Sequence, residues 1–173
     1  METLDLARLI RDIPDFPIPG ILFRDITTLL KDGAAFRQSI DMLADKLQEL
    51  NPDKIVGIES RGFIFGAPIA YKLGVGFVPV RKLGKLPAET ISTEYDLEYG
   101  TNTVEMHSDD ISEDEQVVIV DDLLATGGTT RATVELVEQL GGKVAALAFL
   151  IELSDLGARD FLQGYNIVTL IQY

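Results

Sequence analysis

Short apolar runs alternate with stretches of helical period along most of the chain. The runs are rich in Val and Ile, which is typical of buried strands, and the predicted strands are 54–58, 76–80, 117–120, 144–151 and 167–171. Between them apolar residues recur every three or four positions, and the predicted helices are 36–50, 63–73, 130–140 and 154–162. This alternation predicts an α/β fold with a mostly parallel sheet flanked by helices, and a ligand site at the carboxyl ends of the strands.

Two segments depart from the alternation. Residues 4–10 predict a short helix with Thr3 as its N-cap, and the prolines and glycine of 14–20 then predict an irregular segment. Residues 82–115 have no clean helical period and are long for a connection within a compact domain. They predict a lid or a disordered loop, which could contain a β-hairpin. Elsewhere, Asp32 and Ser154 are predicted to cap helices.

The strongest candidate for chemistry is the stretch 117–130, VVIVDDLLATGGTT. Two adjacent carboxylates, Asp121 and Asp122, follow a buried strand and precede a turn of Thr and Gly at the start of a helix. A helix N-terminus offers unpaired backbone N–H groups and a positive dipole end to a phosphate. Carboxylates accept hydrogen bonds from vicinal ribose hydroxyls. The stretch therefore predicts a site for a phosphorylated sugar.

Other interpretations fit this stretch less well. An ordinary turn between strand and helix would need only a capping Thr and solvated carboxylates, so it leaves the combination of features unexplained. A P-loop would carry Lys directly after its glycines, and a dinucleotide fingerprint would read G-x-G-x-x-G. The sequence at 117–130 has neither pattern.

A candidate diphosphate ligand follows the strand 54–58. Arg61 lies in the segment Glu59-Ser60-Arg61-Gly62, at the point where a strand ends and a helix begins. A guanidinium there can bind a diphosphate through two parallel hydrogen bonds, and the loop backbone adds N–H donors. The alternative is that Ser60 caps the helix and Arg61 is a surface residue.

A second cationic segment follows the strand 76–80. Arg81, Lys82 and Lys85 place three cations within five positions of a strongly acidic chain. They predict a loop that faces the diphosphate, either of the same subunit or of a neighbouring one. The alternative is a solvated turn.

Two further segments could contact a flat base. Glu98, within the predicted lid, could act as general acid or base toward a ring nitrogen, although an exposed strand residue is the simpler interpretation of Glu98 alone. Phe23, in the proline-stiffened segment 16–26, could stack on the base, although a lone Phe is more often a core residue. Backbone groups around Leu22 and Arg24 could then contact the edge of the base.

Composition narrows the class of protein. The 173 residues are 46% hydrophobic and predict one domain with a sizeable core. The formal net charge of −13 argues against nonspecific nucleic-acid binding, and it requires local cations if the substrate is a polyanion.

The chain has no Cys and hence no disulfide or thiolate metal site, which fits a reducing cytoplasm. The acidic, amphipathic N-terminus is unlike a signal peptide, and His107 is predicted to lie exposed in a loop.

Five segments, taken in order, resemble the adenine phosphoribosyltransferases, a branch of the type I phosphoribosyltransferases. They are FPIPGILFRDIT, ESRGFIFG, RKLGKLP, YDLEYG and VVIVDDLLATGGTT, and with the strand pattern beyond them the resemblance covers nearly the whole chain. It implies the type I phosphoribosyltransferase fold, with a Rossmann-like sheet in a single domain over 1–173. It also implies a small N-terminal hood at about 1–30 and a flexible β-hairpin lid at about 82–106.

The resemblance implies a pentosyltransferase, a kind of glycosyltransferase, that works in purine salvage. Such an enzyme transfers the 5-phosphoribosyl group of phosphoribosyl pyrophosphate to adenine and gives AMP and pyrophosphate. The resemblance further implies Mg²⁺ carried mainly by substrate and water rather than by a protein metal site, a homodimer, and a cytoplasmic location.

Roles for individual residues follow from the same resemblance. Asp121 and Asp122 would hold the ribose hydroxyls, and Glu98 would handle the proton at the base. The 5′-phosphate would be bound by Ala125, Thr126, Gly127, Gly128 and Thr129. Pyrophosphate would be bound by Arg61 with Ser60, Arg81, Lys82 and Lys85. Adenine would be contacted by Phe23 and Leu123 on its two faces and by Leu22 and Arg24 at its edge, with Tyr99 lining the lid.

Two rival functions remain. A transferase for another base would share the fold and the 117–130 motif, and would differ only in its base contacts. A regulator that binds phosphoribosyl pyrophosphate without catalysis would typically add a basic DNA-binding domain, for which this acidic chain has no room. Which base is accepted, and whether any turnover occurs, distinguishes these two functions from adenine transfer.

Overall fold

The computed structural model describes residues 4–96 and 100–173. The chain divides into two compact units, residues 1–42 and residues 43–173. Within the described ranges, every helix is too short or too polar to cross a membrane.

The first unit is built on a two-stranded antiparallel hairpin of β1 (Arg11–Pro14) and β2 (Leu22–Asp25). Two ion pairs, Arg24 with Asp12 and Arg11 with Asp25, join the strands. A 3-10 helix (Leu6–Leu9) precedes the hairpin, and the short helix α1 (Thr27–Leu30) follows it.

Predictions for this unit are partly wrong. The predicted helix at 4–10 is only the one-turn 3-10 helix, and its predicted cap, Thr3, lies outside the described residues. The predicted irregular segment is confirmed over residues 15–20, which connect the two strands of the hairpin. The strands themselves were not predicted, because four residues are too few to show a clear alternation. The predicted cap of α2 (Gly33–Leu47) is confirmed, because Asp32 Oδ1 accepts hydrogen bonds from the backbone N–H groups of Ala34 and Ala35, both at 3.0 Å.

The second unit is organised around a seven-stranded sheet. Its strands are β3 (Lys54–Ile58), β4 (Gly76–Lys82), β5 (Thr90–Asp96), β6 (Thr101–His107), β7 (Gln116–Leu124), β8 (Lys143–Glu152) and β9 (Ile167–Gln172). They are ordered β5-β6-β4-β3-β7-β8-β9. The pairs β4–β3, β3–β7, β7–β8 and β8–β9 are parallel, and the antiparallel hairpin β5–β6 extends the sheet at β4. The predicted mostly parallel sheet and the suspected hairpin in 82–115 are both confirmed.

Helices α3 (Arg61–Leu73) and α4 (Gly128–Gln139) cover opposite faces of this sheet. Val56, Ile119 and Phe149 join Val134 and Val137 of α4 in one apolar cluster. Alternate strand positions face the other way.

On the α3 side, two glycines allow the helix to approach the sheet closely. A Cβ placed on Gly57 of β3 or Gly66 of α3 would lie 2.6 Å or 2.9 Å from the ring of Phe77. The close packing of α3 fixes where its first residue, Arg61, stands relative to the ends of β3 and β7.

Two element boundaries differ from prediction. Strand β7 does not stop at Val120 but continues through the acidic pair to Leu124, because Asp121, Leu123 and Leu124 remain paired with β8. The predicted helix 154–162 is broken into a 3-10 helix (Ser154–Leu156) and the short helix α5 (Ala158–Phe161), since Gly157 between them has a φ of +71°. Ser154 caps neither of them.

Candidate active site

Strands β3 and β7 are parallel neighbours, so the segments that follow them meet at one edge of the sheet. Their register pairs Lys54 with Val117 and Gly57 with Val120. A Cβ on Gly62, in the first turn of α3, would lie 2.7 Å from the carbonyl oxygen of Val120 and 3.1 Å from Asp121 Oδ1. Glycine at this position lets the start of α3 contact the acidic end of β7 directly.

Arg61 and Asp122 form the central ion pair of this edge. Arg61 Nε lies 2.9 Å from Asp122 Oδ2, and Asp122 is 2% exposed. Burial raises the pKa of Asp122 above its ordinary value, although the Arg61 charge opposes that shift. The guanidinium predicted to bind pyrophosphate is thus already beside the carboxylates predicted to bind ribose.

Asp121 is the more perturbed of the two acids. Burial first, and then the charge of neighbouring Asp122, raises the pKa of Asp121 well above its ordinary value. The backbone N–H of Asp122 donates to Asp121 Oδ1 at 2.8 Å and partly offsets this. Two adjacent carboxyl groups at the end of a buried strand favour a ligand that brings hydroxyl donors or positive charge.

The loop 125–129, termed here the phosphate loop, leads from β7 into α4. Gly127 has a φ of +91°, a backbone conformation that favours glycine, and stands at the N-cap of α4. Glycine has no side chain to cap the helix, so the first-turn N–H groups remain available to an anion. Thr126 is exposed and Thr129 is half-buried, so both hydroxyls are close to solvent at the same point.

The predicted cationic loop follows β4 at the same end of the sheet. Arg81 Nη2 lies 3.1 Å from Glu59 Oε1, and Arg81 Nη1 donates to the carbonyl oxygen of Lys85 at 3.1 Å. The Arg81 guanidinium holds the pKa of Glu59 below its ordinary value. Arg81 therefore shapes the loop through its own contacts, while the side chains of Lys82 and Lys85 are exposed.

The chain as a whole is similar to known proteins in both sequence and fold. The family model for the phosphoribosyl transferase domain matches residues 25–163. The adenine phosphoribosyltransferase of Carboxydothermus hydrogenoformans is 60% identical over 98% of this chain and 100% of its own. The crystal structure of adenine phosphoribosyltransferase from Thermoanaerobacter pseudethanolicus is 58% identical, covers 98% of both chains and has a TM-score of 0.95.

The chain belongs to the adenine phosphoribosyltransferase family. A more distant member, from Saccharomyces cerevisiae, was solved with an imino-altritol bisphosphate and adenine. It is 41% identical, covers 95% of this chain and 96% of its own, and has a TM-score of 0.90. The resemblance in the sequence and the predicted type I phosphoribosyltransferase fold are both confirmed.

Only some of the residues that the family resemblance assigns to adenine lie within the described part of the chain. Phe23 is half-buried on β2 of the first unit, with its ring 5.1 Å from that of Phe16 in an edge-to-face contact. On the same strand, Leu22 is exposed and Arg24 is paired with Asp12.

The other residues predicted on the adenine side come from the second unit. Leu123 is half-buried on β7, between the acidic pair and the phosphate loop. The predictions for Glu98 and Tyr99 lie outside the described residues.

Sequence reasoning missed a buried carboxylate that organises the cationic loop. Glu105, 3% exposed on β6, accepts hydrogen bonds from the backbone N–H groups of Lys85 at 2.8 Å and Leu86 at 2.9 Å. The one local signal is its position between two apolar residues, Val104 and Met106, which are themselves buried.

The prediction for His107 is wrong. This residue ends β6 instead of lying exposed in a loop, and its side chain is only 20% exposed. Its Nδ1 lies 3.6 Å from Asp110 Oδ2, across the turn that leads toward β7. The backbone N–H of His107 also donates to Asp110 Oδ2 at 3.2 Å, which holds the turn against the end of the strand.

Proposed function

We propose that this chain transfers the 5-phosphoribosyl group of phosphoribosyl pyrophosphate to adenine, giving AMP and pyrophosphate in the salvage of free adenine. The observation that carries the proposal is the continuity of three features along one segment. The buried acidic pair at the end of β7, the phosphate loop and the N-terminus of α4 follow one another, with Arg61 paired to Asp122. The acidic pair binds the ribose hydroxyls, the phosphate loop and the start of α4 bind the 5′-phosphate, and Arg61 binds the diphosphate. We further propose that residues 1–173 act as a single phosphoribosyltransferase domain, with a hood at about 1–30 and a lid at about 82–106.

The reaction breaks the bond between the sugar carbon and a pyrophosphate oxygen, and the bonding electrons leave with pyrophosphate. Positive charge then develops on the sugar carbon, and a ring nitrogen of adenine supplies the electron pair of the new bond. Adenine must be held in line and water excluded, since water would otherwise capture the sugar. A lid over residues 82–106 would exclude water.

Charge on the leaving pyrophosphate is stabilised by cations at the carboxyl end of the sheet. Arg61 binds it from the start of α3, together with the N–H of Ser60, and exposed Lys82 and Lys85 add charge from the cationic loop. Arg81 supports the loop through Glu59 and the Lys85 carbonyl. When pyrophosphate binds, Arg61 shares its N–H donors between the ligand and Asp122.

Magnesium fits the donor set of this site. Mg²⁺ is commonly held by one or two carboxylates together with substrate phosphates and water, and Asp121 and Asp122 offer such a pair. When bound, the ion would neutralise charge on the diphosphate, with the acidic pair contacting it through water.

The family resemblance supports contacts to adenine from Phe23 and from backbone groups of Leu22 and Arg24, and it separately supports one from Leu123. Glu98 accepts the proton carried by one imidazole nitrogen of adenine, so the other imidazole nitrogen bonds to the sugar carbon with its lone pair and AMP forms with a neutral base. Glu98→Gln should therefore lower kcat by about 100-fold, within the usual range for general acid–base groups, with little change in the KM for adenine. Steady-state kinetics with Glu94→Gln as the lid control check this, and an unchanged kcat would remove the role.

The acidic pair gives a direct test of the site. Asp121→Asn with Asp122→Asn should reduce AMP formation by at least about 1,000-fold, because both ribose contacts and the charge beside Arg61 are lost. The matched control is the adjacent pair Asp109→Asn with Asp110→Asn, in the turn between β6 and β7, which should retain nearly full activity. Equal losses in both double variants would mean that the acidic pair has no special role.

The enzyme is proposed to be a cytoplasmic homodimer, and mixed dimers test whether the cationic loop serves the site of its own subunit or that of the other. Lys85→Ala and Asp121→Asn dimers are each expected to be inactive or nearly so. If the loop serves the other subunit's site, co-expression of the two chains should restore up to about a quarter of wild-type activity, since random pairing then leaves about that share of sites intact. Absence of restoration in a confirmed mixed dimer would place Lys85 in its own subunit's site. Cell fractionation tests the location.

A further inference from the structure

A buried carboxylate at the carboxyl end of the sheet has no part in the proposed mechanism. Glu152 ends β8, pairs in register with Leu124 of β7 and is 3% exposed. Arg159 donates to it from Nε at 2.6 Å and Nη2 at 2.7 Å, and Thr169 and Gln172 of β9 complete its hydrogen bonds. The Arg159 guanidinium above all holds the pKa of Glu152 below its ordinary value.

Arg159 belongs to α5, which packs against the phosphate loop. A Cβ placed on Gly127 would lie 3.2 Å from Leu162 Cδ1 and 3.3 Å from Phe161 Cδ1. Gly127 is itself buried, and Leu162 is 1% exposed. The C-terminal end of α5 therefore forms the outer wall of the phosphate loop, behind the residue at which α4 begins.

Helix α5 cannot hold this position by its own stability. It has four residues, and Gly157 before it and Gly164 after it have φ values of +71° and +97°. Forming a single helical turn is unfavourable on its own, so such a helix stays in place only through tertiary contacts. Its buried side chains supply some of these contacts, and the pair of Arg159 with Glu152 ties it to the end of β8.

We propose that Glu152 and Arg159 are positioning residues for the 5′-phosphate. Their ion pair holds α5 against Gly127, and α5 in turn fixes the loop conformation that directs the N–H groups of α4 toward the phosphate. The proposal rests on the proposed function, in which this loop binds the 5′-phosphate. A displacement of about 1 Å in such a cradle can reduce the rate of reaction by about 100-fold, although neither residue contacts the substrate.

The test compares a ligand that carries the 5′-phosphate with one that lacks it. Arg159→Met should weaken the binding of AMP by about 10-fold or more while the Kd of pyrophosphate changes by less than about 2-fold, measured by titration calorimetry. Arg159→Lys, which keeps the charge but loses the paired donors, should recover part of the affinity for AMP. The KM for phosphoribosyl pyrophosphate should rise with that for adenine unchanged.

Matched controls break ion pairs at the opposite ends of the same strands. Lys143→Met removes a pair with Asp114 at the start of β8, and Glu115→Gln removes a pair with Lys54 just before β7. Both should leave the two affinities unchanged. If Arg159→Met does not fold, Phe161→Ala carries the test, since Phe161 is 56% exposed and its truncation leaves the core intact.

Thr126→Ala, a variant of the phosphate loop, tests whether the loop binds the 5′-phosphate separately from whether α5 positions the loop. If Thr126→Ala leaves the affinity for AMP unchanged, the proposed role of the loop is wrong. If Thr126→Ala weakens AMP binding but Arg159→Met and Phe161→Ala do not, the positioning role alone is overturned. It is also overturned if those two variants weaken AMP and pyrophosphate binding equally, because a general loss of structure would explain that result.

Discussion

At the scale of single residues, the site contains a carboxyl group whose environment opposes its charge. Burial and the neighbouring Asp122 both raise the pKa of Asp121. A raised pKa in the folded state means that the folded protein holds this proton more tightly than the unfolded chain does. Stability is therefore lost as pH rises from about 4, the ordinary pKa of Asp, through the raised value. A ligand that brings hydroxyl donors or positive charge to Asp121 would offset this loss of stability.

Asp121→Asn should consequently make the ligand-free enzyme more stable while removing most of its activity. We expect the Tm at pH 7.5 to rise by about 2–4 °C, which corresponds to about 1 kcal/mol in a chain of this size. The gain should vanish near pH 4, where the wild-type carboxyl is also protonated. Calorimetric scans at both pH values check this.

Asp109→Asn, in the turn between β6 and β7, is the control for that comparison. It removes an acid from the same strongly acidic chain and so corrects for the change in net charge. An equal rise in Tm for both variants would attribute the effect to net charge, and a lower Tm for Asp121→Asn at pH 7.5 would contradict the account.

How far the site could be predicted also depends on individual residues. Asp121, Asp122 and the phosphate loop follow one another in sequence, so their spacing already predicts a shared site. The roles of Glu59 and Glu105 are set by partners about 20 residues away, and that of Glu152 by Arg159 seven residues on and by Thr169 and Gln172 of another strand. The local sequence does not predict these contacts.

At the scale of elements, a loop rich in cations is held in shape by a buried acid. Burial by itself would raise the pKa of Glu105, but the N–H donors of Leu86, Lys85 and Gly84 together outweigh it, and the pKa is lowered. This contribution to stability is present above about pH 4 and is lost as pH falls through the lowered folded-state value. The loop therefore depends on an ionised carboxylate.

Glu105→Gln should loosen the loop without dismantling the sheet. The amide removes the negative charge that the N–H groups of Lys85 and Leu86 stabilise, so we expect a loss of about 1.5–3 kcal/mol and faster hydrogen exchange at residues 84–86. Binding of phosphoribosyl pyrophosphate should weaken because Lys85 is no longer held. The control is Glu94→Gln on the exposed face of β5, and unchanged exchange at 84–86 would show that Glu105 does not hold the loop.

The elements themselves were predictable where one apolar run or one helical period decides them. All five parallel strands of the sheet and the helices α2 to α4 follow from such patterns. The boundaries of β7 and α5 do not follow from such patterns. Pairing with β8 extends β7 through two carboxylates, and Gly157 interrupts the helical period before α5. Tertiary contacts decided both cases.

At the scale of the whole molecule, an acidic chain is proposed to bind a polyanion. The net charge of −13 opposes that binding at long range, so the local cations and the helix N-terminus must supply the attraction. The cations Arg61, Lys82 and Lys85 and the start of α4 lie in segments that follow the carboxyl ends of adjacent strands. The parallel topology, which the alternating pattern predicted, is what gathers these distant segments at one edge.

The central claim is that this site joins adenine, and no other common base, to the ribose of phosphoribosyl pyrophosphate. The most direct measurement is pyrophosphate release by the wild-type enzyme with Mg²⁺ and phosphoribosyl pyrophosphate, with adenine, hypoxanthine, guanine, xanthine or uracil supplied separately. The account predicts release with adenine alone, in step with AMP formation. Release with another base and not with adenine, or no release with any base despite tight binding of phosphoribosyl pyrophosphate, would contradict it.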